Sequence, residues 1–466
     1  MAMALVTSAL CHAFNVTNLR VEYTSHPLGL DVATPRFSWQ MDSKTRGAAQ
    51  TAYAITVSDA SGNEVWNSGR VASSASVGIH YGGKALQPST RYTWTVTVYG
   101  NGKTPEVESA TSWFETGLMT TSDKAAAWGG AKWIGANDVY SFYSQYLPVF
   151  RLNFTVSLDK KTKSREAALL YGANDLRLMD KNKNILGMVN AKDASYIKVV
   201  LNIAPLLKGD SATVDVYRVG YTQRDRADIP FDSKKISTAV INKANCYAPH
   251  TLTLTSVCGT TNISVDGDNA VITGLNLNPM GKGGDYIAFP VVGDMGFSVP
   301  AGQKATVSAD VQNYRLPRHT IAQVADGLTV SGQTVFLTPK AQGTPLLRTE
   351  FATNGKAIAS ARLYATARGV YDMFINGQRV SNDYLNPGLT QYNKTLFYQT
   401  YDVTSLLRDG RNAIGAQLNE GWWSGFITFT PENWNYFGDR QSLLAQLVST
   451  DWPGRHSRTC KYNCRC

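Results

Sequence analysis

The sequence predicts an all-β protein assembled from tandem β-sandwiches. Short runs alternate apolar and polar residues, among them RFSWQM (36–41), RYTWTVTVYG (91–100) and FRLNFTVSL (150–158), and this period of two places alternate side chains on one face of a strand. Clusters of Gly, Asn, Asp and Pro separate the runs, as the turns of a sandwich require. Helical periodicity never extends beyond a turn or two. At 466 residues the chain exceeds what one hydrophobic core usually supports, so two to four domains are expected.

Composition narrows the function classes. The chain is 43% hydrophobic, 11% aromatic and 17% charged, which is globular rather than disordered. Its formal charge of +10 is spread along the sequence without the basic arrays that track a phosphate backbone, so no nucleic-acid partner is expected. No run of about 18 apolar residues is present, hence no membrane span. The opening MAMALVTSALCHAF reads either as the tail of a secretion signal, implying a secreted or periplasmic protein, or as a disordered start. Six cysteines are too few for a disulfide scaffold at this length. Cys246 and Cys258 have the spacing to bridge a hairpin, and two separate buried thiols satisfy the sequence equally well.

Taken in order, residues 1–15 form the irregular start. Residues 16–119 hold RFSWQM, AYAITVSD, RYTWTVTVYG and SWFETG, the pattern of a first β-sandwich. Residues 120–136 read as a linker ending in AKWIG (131–135), and 137–342 as an inserted sandwich with strands FRLNFTVSL, EAALLYG, YIKVVLNIA, ATVDVYRVGY, TLTLTSV, NISVDG, KATVSADVQNY and QTVFLTP. GLNLNPMGKGGDYIAF (274–289) is loop-like. A third sandwich occupies 343–450, from PLLRTEFAT to LLAQLVST. Within it YDMFINGQRV turns at Asn376-Gly377, a pair suited to the positive φ angles of a tight hairpin. FYQTYDVTSLL reads as a strand with Thr404 placed to cap a short helical turn. NAIGAQLNEGWWSG follows, where Gly421 and Gly425 bracket Trp422 and Trp423 like a platform. The tail 451–466, with Cys460, Cys464 and Cys466, is unpatterned and expected to be irregular.

Two stretches carry a resemblance. Phe374-Ile375-Asn376-Gly377, Asp383, Pro387-Gly388, Thr390, Tyr392, Tyr398, Gln399-Thr400-Tyr401-Asp402-Val403-Thr404, Asn412-Ala413-Ile414-Gly415 and Gly421-Trp422-Trp423-Ser424-Gly425 resemble the N-terminal β-sandwich of bacterial α-L-rhamnosidases, which remove terminal L-rhamnose from glycans. LRVEYTSHPLGLDVATPRFSWQM, followed by RGAAQTAYAI, is similar to that family's first domain. Leu389 stands where the family usually has tryptophan. LQPSTRYTWTVTV (86–98) further resembles the fibronectin type III signature, with Tyr92 forming a corner, Trp94 filling the core and Trp39 packing against it. Residues 137–342 resemble, less specifically, the jelly-roll or concanavalin-like modules of bacterial glycosidases.

The resemblance implies an accessory role. The family hydrolyses with inversion, using two carboxyl groups about 6.5 to 9.5 Å apart, and these lie in a helical-hairpin barrel after the sandwiches. No series of amphipathic helices is present here, so the catalytic barrel, an intramolecular partner of the sandwiches, is absent from this stretch and no catalytic residue can be assigned. Alone, the chain is expected to be inactive. Gln223-Arg224-Asp225-Arg226 only superficially resembles a catalytic run of the family and reads as a solvated turn. The six histidines lack metal-ligand spacing, and the nucleophile-elbow and phosphate-loop patterns are absent.

Sugar binding remains as a function. A pyranose offers hydroxyls at its edge and C–H groups on its face, so a site needs amide or carboxylate oxygens beside an aromatic plate. Trp422, Trp423 and Trp434 supply aromatic candidates; Asp383, Asn386, Asn419 and Glu420 supply polar ones. Packing against the barrel accounts for Trp422 and Trp423 equally well. The partner expected is a rhamnose-containing glycan. No cofactor is required, though relatives hold calcium with rhamnose, and oxygen ligands such as Asp383 and Asn386 would suit that ion.

Overall fold

Strand alternation becomes sheet where one face of each strand finds cover. The computed structural model describes residues 14–102, 107–135, 144, 147–182, 190–279, 289–314, 320–339, 344–353, 357–425, 427–428, 435–451 and 457–460. Among these residues helix is confined to single turns, such as Leu176–Met179, Ala204–Leu207 and Thr404–Leu406. None is long and apolar enough to cross a membrane. The opening residues 1–13, which carry the signal-like run, lie outside the described residues.

A three-stranded sheet (Asn15–Val21, Arg36–Asp42, Ile79–His80) and a four-stranded one (Glu64–Asn67, Gln50–Ser58, Arg91–Gly100, Val107–Glu115) share a core that includes Phe37, Trp39, Ile55, Trp94 and Phe114. The Tyr92 hydroxyl accepts from the Gln87 backbone N–H at 2.8 Å, so the tyrosine corner is present. Trp94 is buried at the core as expected. Its aromatic neighbour, however, is Phe37 at 4.7 Å, not Trp39. The Trp39 indole donates to Gln50 Oε1 at 2.9 Å and meets Tyr53 edge-on at 5.3 Å.

Two six-stranded antiparallel sheets form the middle of the chain. The strands expected from alternation are there. Asp232–Lys235, Asn269–Asn276, Asp294–Ser298 and Thr320–Ser331 complete the sheets. The last escapes a pattern search because bulges shift its register against Lys304–Gln312, which breaks strict alternation. Cys246 and Cys258 are both buried thiols in different core clusters. Asp225 corrects the solvated-turn reading. Its carboxylate is 2% exposed, pairs with Arg218 at 3.0 Å and accepts from the Tyr221 and Thr222 N–H groups, so it organises the turn while Arg224 and Arg226 face water. The segment 280–288 of the glycine-rich loop lies outside the described residues.

The third sandwich pairs the sheet Leu346–Ala352, Arg411–Asn419, Val370–Ile375, Gln378–Arg379 with the sheet Gln399–Asp402, Ile358–Arg368, Ser442–Asp451, Ser457–Cys460. Asn376 (φ 52°) and Gly377 (φ 83°) turn the hairpin as expected. Thr404 does not cap the helical turn; it lies inside it. Val403 holds the N-cap position; Asp402 accepts from the Thr404 N–H at 3.1 Å, while the Thr404 hydroxyl accepts from the Ala361 N–H. The tail is less irregular than expected. Ser457–Cys460 pairs antiparallel with Leu447–Thr450, since an edge strand presents open main-chain groups. Cys464 and Cys466 lie outside the described residues.

Candidate functional site

The strand Ile358–Arg368 organises the site. It is buried on both faces along most of its length, which its composition, IASARLYATAR, conceals: alanine reads as neither face. Ala361, Leu363, Ala365 and Ala367 enter the core of the third sandwich. Arg362, Tyr364, Thr366 and Arg368 alternate with them and turn toward the first sandwich and the linker.

At one end this second face forms a lock. Arg362 makes a fork with Glu115, Nε to Oε1 at 2.7 Å and Nη2 to Oε2 at 3.1 Å, and both side chains are less than a tenth exposed. A second carboxylate, Asp402, lies 2.8 Å from Nη1. Burial pushes the Asp402 carboxyl upward, but hydrogen bonds from Thr404 and the nearby charges of Arg362 and Arg91 outweigh it and hold the group below its ordinary value. Beside the lock, the Tyr398 hydroxyl donates to Asp31 at 2.5 Å and accepts from the Leu118 N–H at 2.7 Å. Burial, then the bond to Asp31, raises its pKa far above the ordinary tyrosine value. Leu118, Trp128, Ala131, Tyr364 and Leu444 close an apolar cluster over the junction. The linker joins through its backbone as well, with Ile134 and Leu443 exchanging both hydrogen bonds.

At the other end the same face opens into a cleft of about 240 Å³. Its walls include Trp128, Trp133, Tyr392, Tyr398 and Trp423, and its rim carries Thr120, Thr121, Ser122, Asp123, Asn393 and Lys394. Arg368 lies between two depressions, the second being about 320 Å³ and sharing Trp133, Arg368 and Trp423 with the first. The guanidinium carbon stands 4.4 Å from the centre of the Trp133 ring and 5.4 Å from that of Trp423. Asp123 accepts from the Trp133 indole N–H at 3.1 Å and lies 3.7 Å from Arg368.

Among the described residues nominated from the sequence, Trp423 alone lines this cleft. Its indole donates to the Arg440 carbonyl at 3.1 Å, and its ring meets Phe437 nearly parallel at 6.4 Å and Tyr392 edge-on at 5.8 Å. Trp422 is half-buried and is not among the lining residues. Trp434 lies outside the described residues. The Asn419 side chain accepts from the Thr344 hydroxyl at 2.9 Å. Glu420 is folded against its own turn, where a Cβ on Gly425 would come within 2.3 Å of Oε2. Asp383 and Asn386 sit apart from the cleft: the Asp383 carbonyl accepts from Arg379 and the Asn386 carbonyl from the Tyr371 N–H.

Both of those contacts use main-chain carbonyls, and no group of three or more Asp, Glu, His or Cys side chains placed to hold a metal occurs among the described residues. Pattern reasoning also missed Trp133, Arg368 and Asp123. The signal available is the tryptophan of the AKWIG run itself, Trp133.

Comparison with known proteins gives these surfaces a family. Residues 16–120 match the domain described as Rha78A-like, N-terminal immunoglobulin domain, and residues 356–459 match the alpha-L-rhamnosidase N-terminal domain. An α-L-rhamnosidase of Streptomyces avermitilis is 33% identical over 445 residues, covering 93% of this chain and 39% of that protein. One from Formosa agariphila is 46% identical over 95 residues, 20% of this chain and 10% of that protein. The chain thus spans well under half the length of these relatives. Among solved structures, the S. avermitilis α-L-rhamnosidase complexed with L-rhamnose covers 96% of this chain and 40% of its own, at 26% identity and a TM-score of 0.49. With both domain models matched and the S. avermitilis relative aligned along 93% of this chain, the chain is similar to the N-terminal region of α-L-rhamnosidases.

Proposed function

We propose that the chain is the non-catalytic N-terminal portion of an enzyme acting on terminal L-rhamnose of glycans, and that it binds or positions carbohydrate for a C-terminal catalytic barrel. The observation that carries this reading is the cleft in which Trp133 and Trp423 stand beside a rim of hydroxyl, amide and charged groups. Indole faces take the C–H patch of a pyranose while the rim takes its hydroxyls. A sugar covers only part of one ring, so affinity in the millimolar to micromolar range is expected.

Tryptophan fluorescence titrated with L-rhamnose and rhamno-oligosaccharides tests the binding. Saturable quenching that weakens in Trp423→Leu supports it; no change in emission, with or without calcium, overturns it. Incubation with an aryl α-L-rhamnoside tests the non-catalytic assignment, and release of the phenol above a buffer blank overturns that. Export to the periplasm or medium belongs to the same proposal and is tested by fractionating cells that express the natural gene.

A second reading, a rigid spacer without ligand, is favoured by the Glu115–Arg362 lock, which fixes the first sandwich on the third. Calorimetry against the same sugars without heat selects it.

A further inference from the structure

We infer that the cleft at Arg368 selects an anionic saccharide, one bearing a carboxylate or a sulfate ester, over a neutral one. The inference rests on the carbohydrate reading above and adds the chemical class of the ligand.

Three features support it. First, among the charged side chains lining the first depression, Arg368 and Lys394 outnumber Asp123. Second, Arg368 is loosely paired. Its ion partner Asp123 lies at 3.7 Å and is 60% exposed, compared with the 2.7 Å contact of Arg362 to a carboxylate that is 6% exposed. Asp123 also accepts from the Trp133 indole, so it keeps a partner when another anion takes the guanidinium. Third, the guanidinium is positioned over two indole rings, contacts that hold the fork in place before a ligand arrives.

A planar guanidinium offers paired N–H donors that match a carboxylate or sulfate oxygen pair. Neutral hydroxyls would use only part of that capacity. Arg368 also stands where the two depressions meet, so an oligosaccharide crossing from one to the other would bring its charged ring to the guanidinium. The first depression, at about 240 Å³, lies below the roughly 300 Å³ at which pockets for drug-sized ligands begin. Single sugar rings in each depression fit better than a compact ligand.

The test compares three probes on the full chain by calorimetry: a rhamnosyl-uronate disaccharide, its carboxyl-reduced twin, and a sulfated rhamnoside. Binding of the uronate at least tenfold tighter than its reduced twin is expected, with the preference falling as salt is raised. The sulfated probe separates the two sources of charge, and tight binding by either anion supports the inference. Arg368→Met is expected to erase the preference while retaining weak binding of the neutral twin, and Arg368→Lys to keep part of it. Unfolding midpoints of both variants confirm that they fold. Equal affinities for all three probes overturn the anion preference and leave carbohydrate binding intact. Failure of every probe to bind overturns both, and is the outcome expected if this groove is a docking surface for protein.

Discussion

Arg362 and Arg368 project from the same face of one strand, yet their surroundings are opposite. Arg362 is 8% exposed and forked onto Glu115, with Asp402 beside it. Arg368 is 39% exposed, beside two indoles, with one carboxylate at 3.7 Å. An ion pair buried in low dielectric must satisfy its donors or be strongly destabilising; an exposed one is worth little and can exchange partners. The difference is therefore one of role. The first end of the strand fixes two sandwiches together, while the second leaves a cation available to solvent or ligand.

Breaking the buried end should have the largest effect. Arg362→Ala leaves the Glu115 carboxylate with Arg91 at 3.2 Å as its cationic partner and is expected to cost about 3 kcal/mol, read as a lowered denaturation midpoint and a split of the first and third sandwiches into separate transitions. Pairing it with apolar replacement, Arg362→Met with Glu115→Leu, should recover much of the loss. Recovery no better than either single variant would mean that the lock depends on charge rather than on filled volume.

Gly117→Ala comes next. A Cβ there would lie 2.1 Å from the Tyr398 hydroxyl, and such overpacking costs about 1 to 3 kcal/mol. Tyr398→Phe in the same background should relieve part of the clash, as thermal unfolding would report.

Acid sharpens the comparison further. The Asp402 carboxyl is held below its ordinary value, so the folded state binds its proton more weakly than the unfolded chain does. Its contribution is present above the unfolded value near 3.8 and is lost as pH falls through the lower folded value. Unfolding midpoints should accordingly decline below about pH 4, and less steeply in Asp402→Asn. The smallest effect belongs to the open end. Arg368→Met is expected to change stability by less than about 1 kcal/mol, measured by denaturant titration. A loss as large as that of Arg362→Ala would show Arg368 to be a second lock.

Sequence and structure divide the molecule along the same line. The alternation in RYTWTVTVYG and FRLNFTVSL, and the Asn376-Gly377 turn, were sufficient to place strands, because each expresses a local periodicity or backbone preference. IASARLYATAR hides its alternation, since its polar positions are covered by another domain rather than exposed to water. Trp422 and Trp423 part for a related reason: Trp423 lines the cleft and Trp422 does not, and the neighbours Trp133 and Asp123 come from the linker.

The sequence by itself determined the all-β class, the domain family at the first and third sandwiches, and the hairpins, since all of these follow from residue order and short-range sterics. Tertiary structure alone decided which arginine is locked and which is open, and which tryptophans meet. Those outcomes depend on how far each side chain is removed from water by residues distant in the chain, as Glu115 is from Arg362, and burial of that kind sets the strength of every charge it encloses.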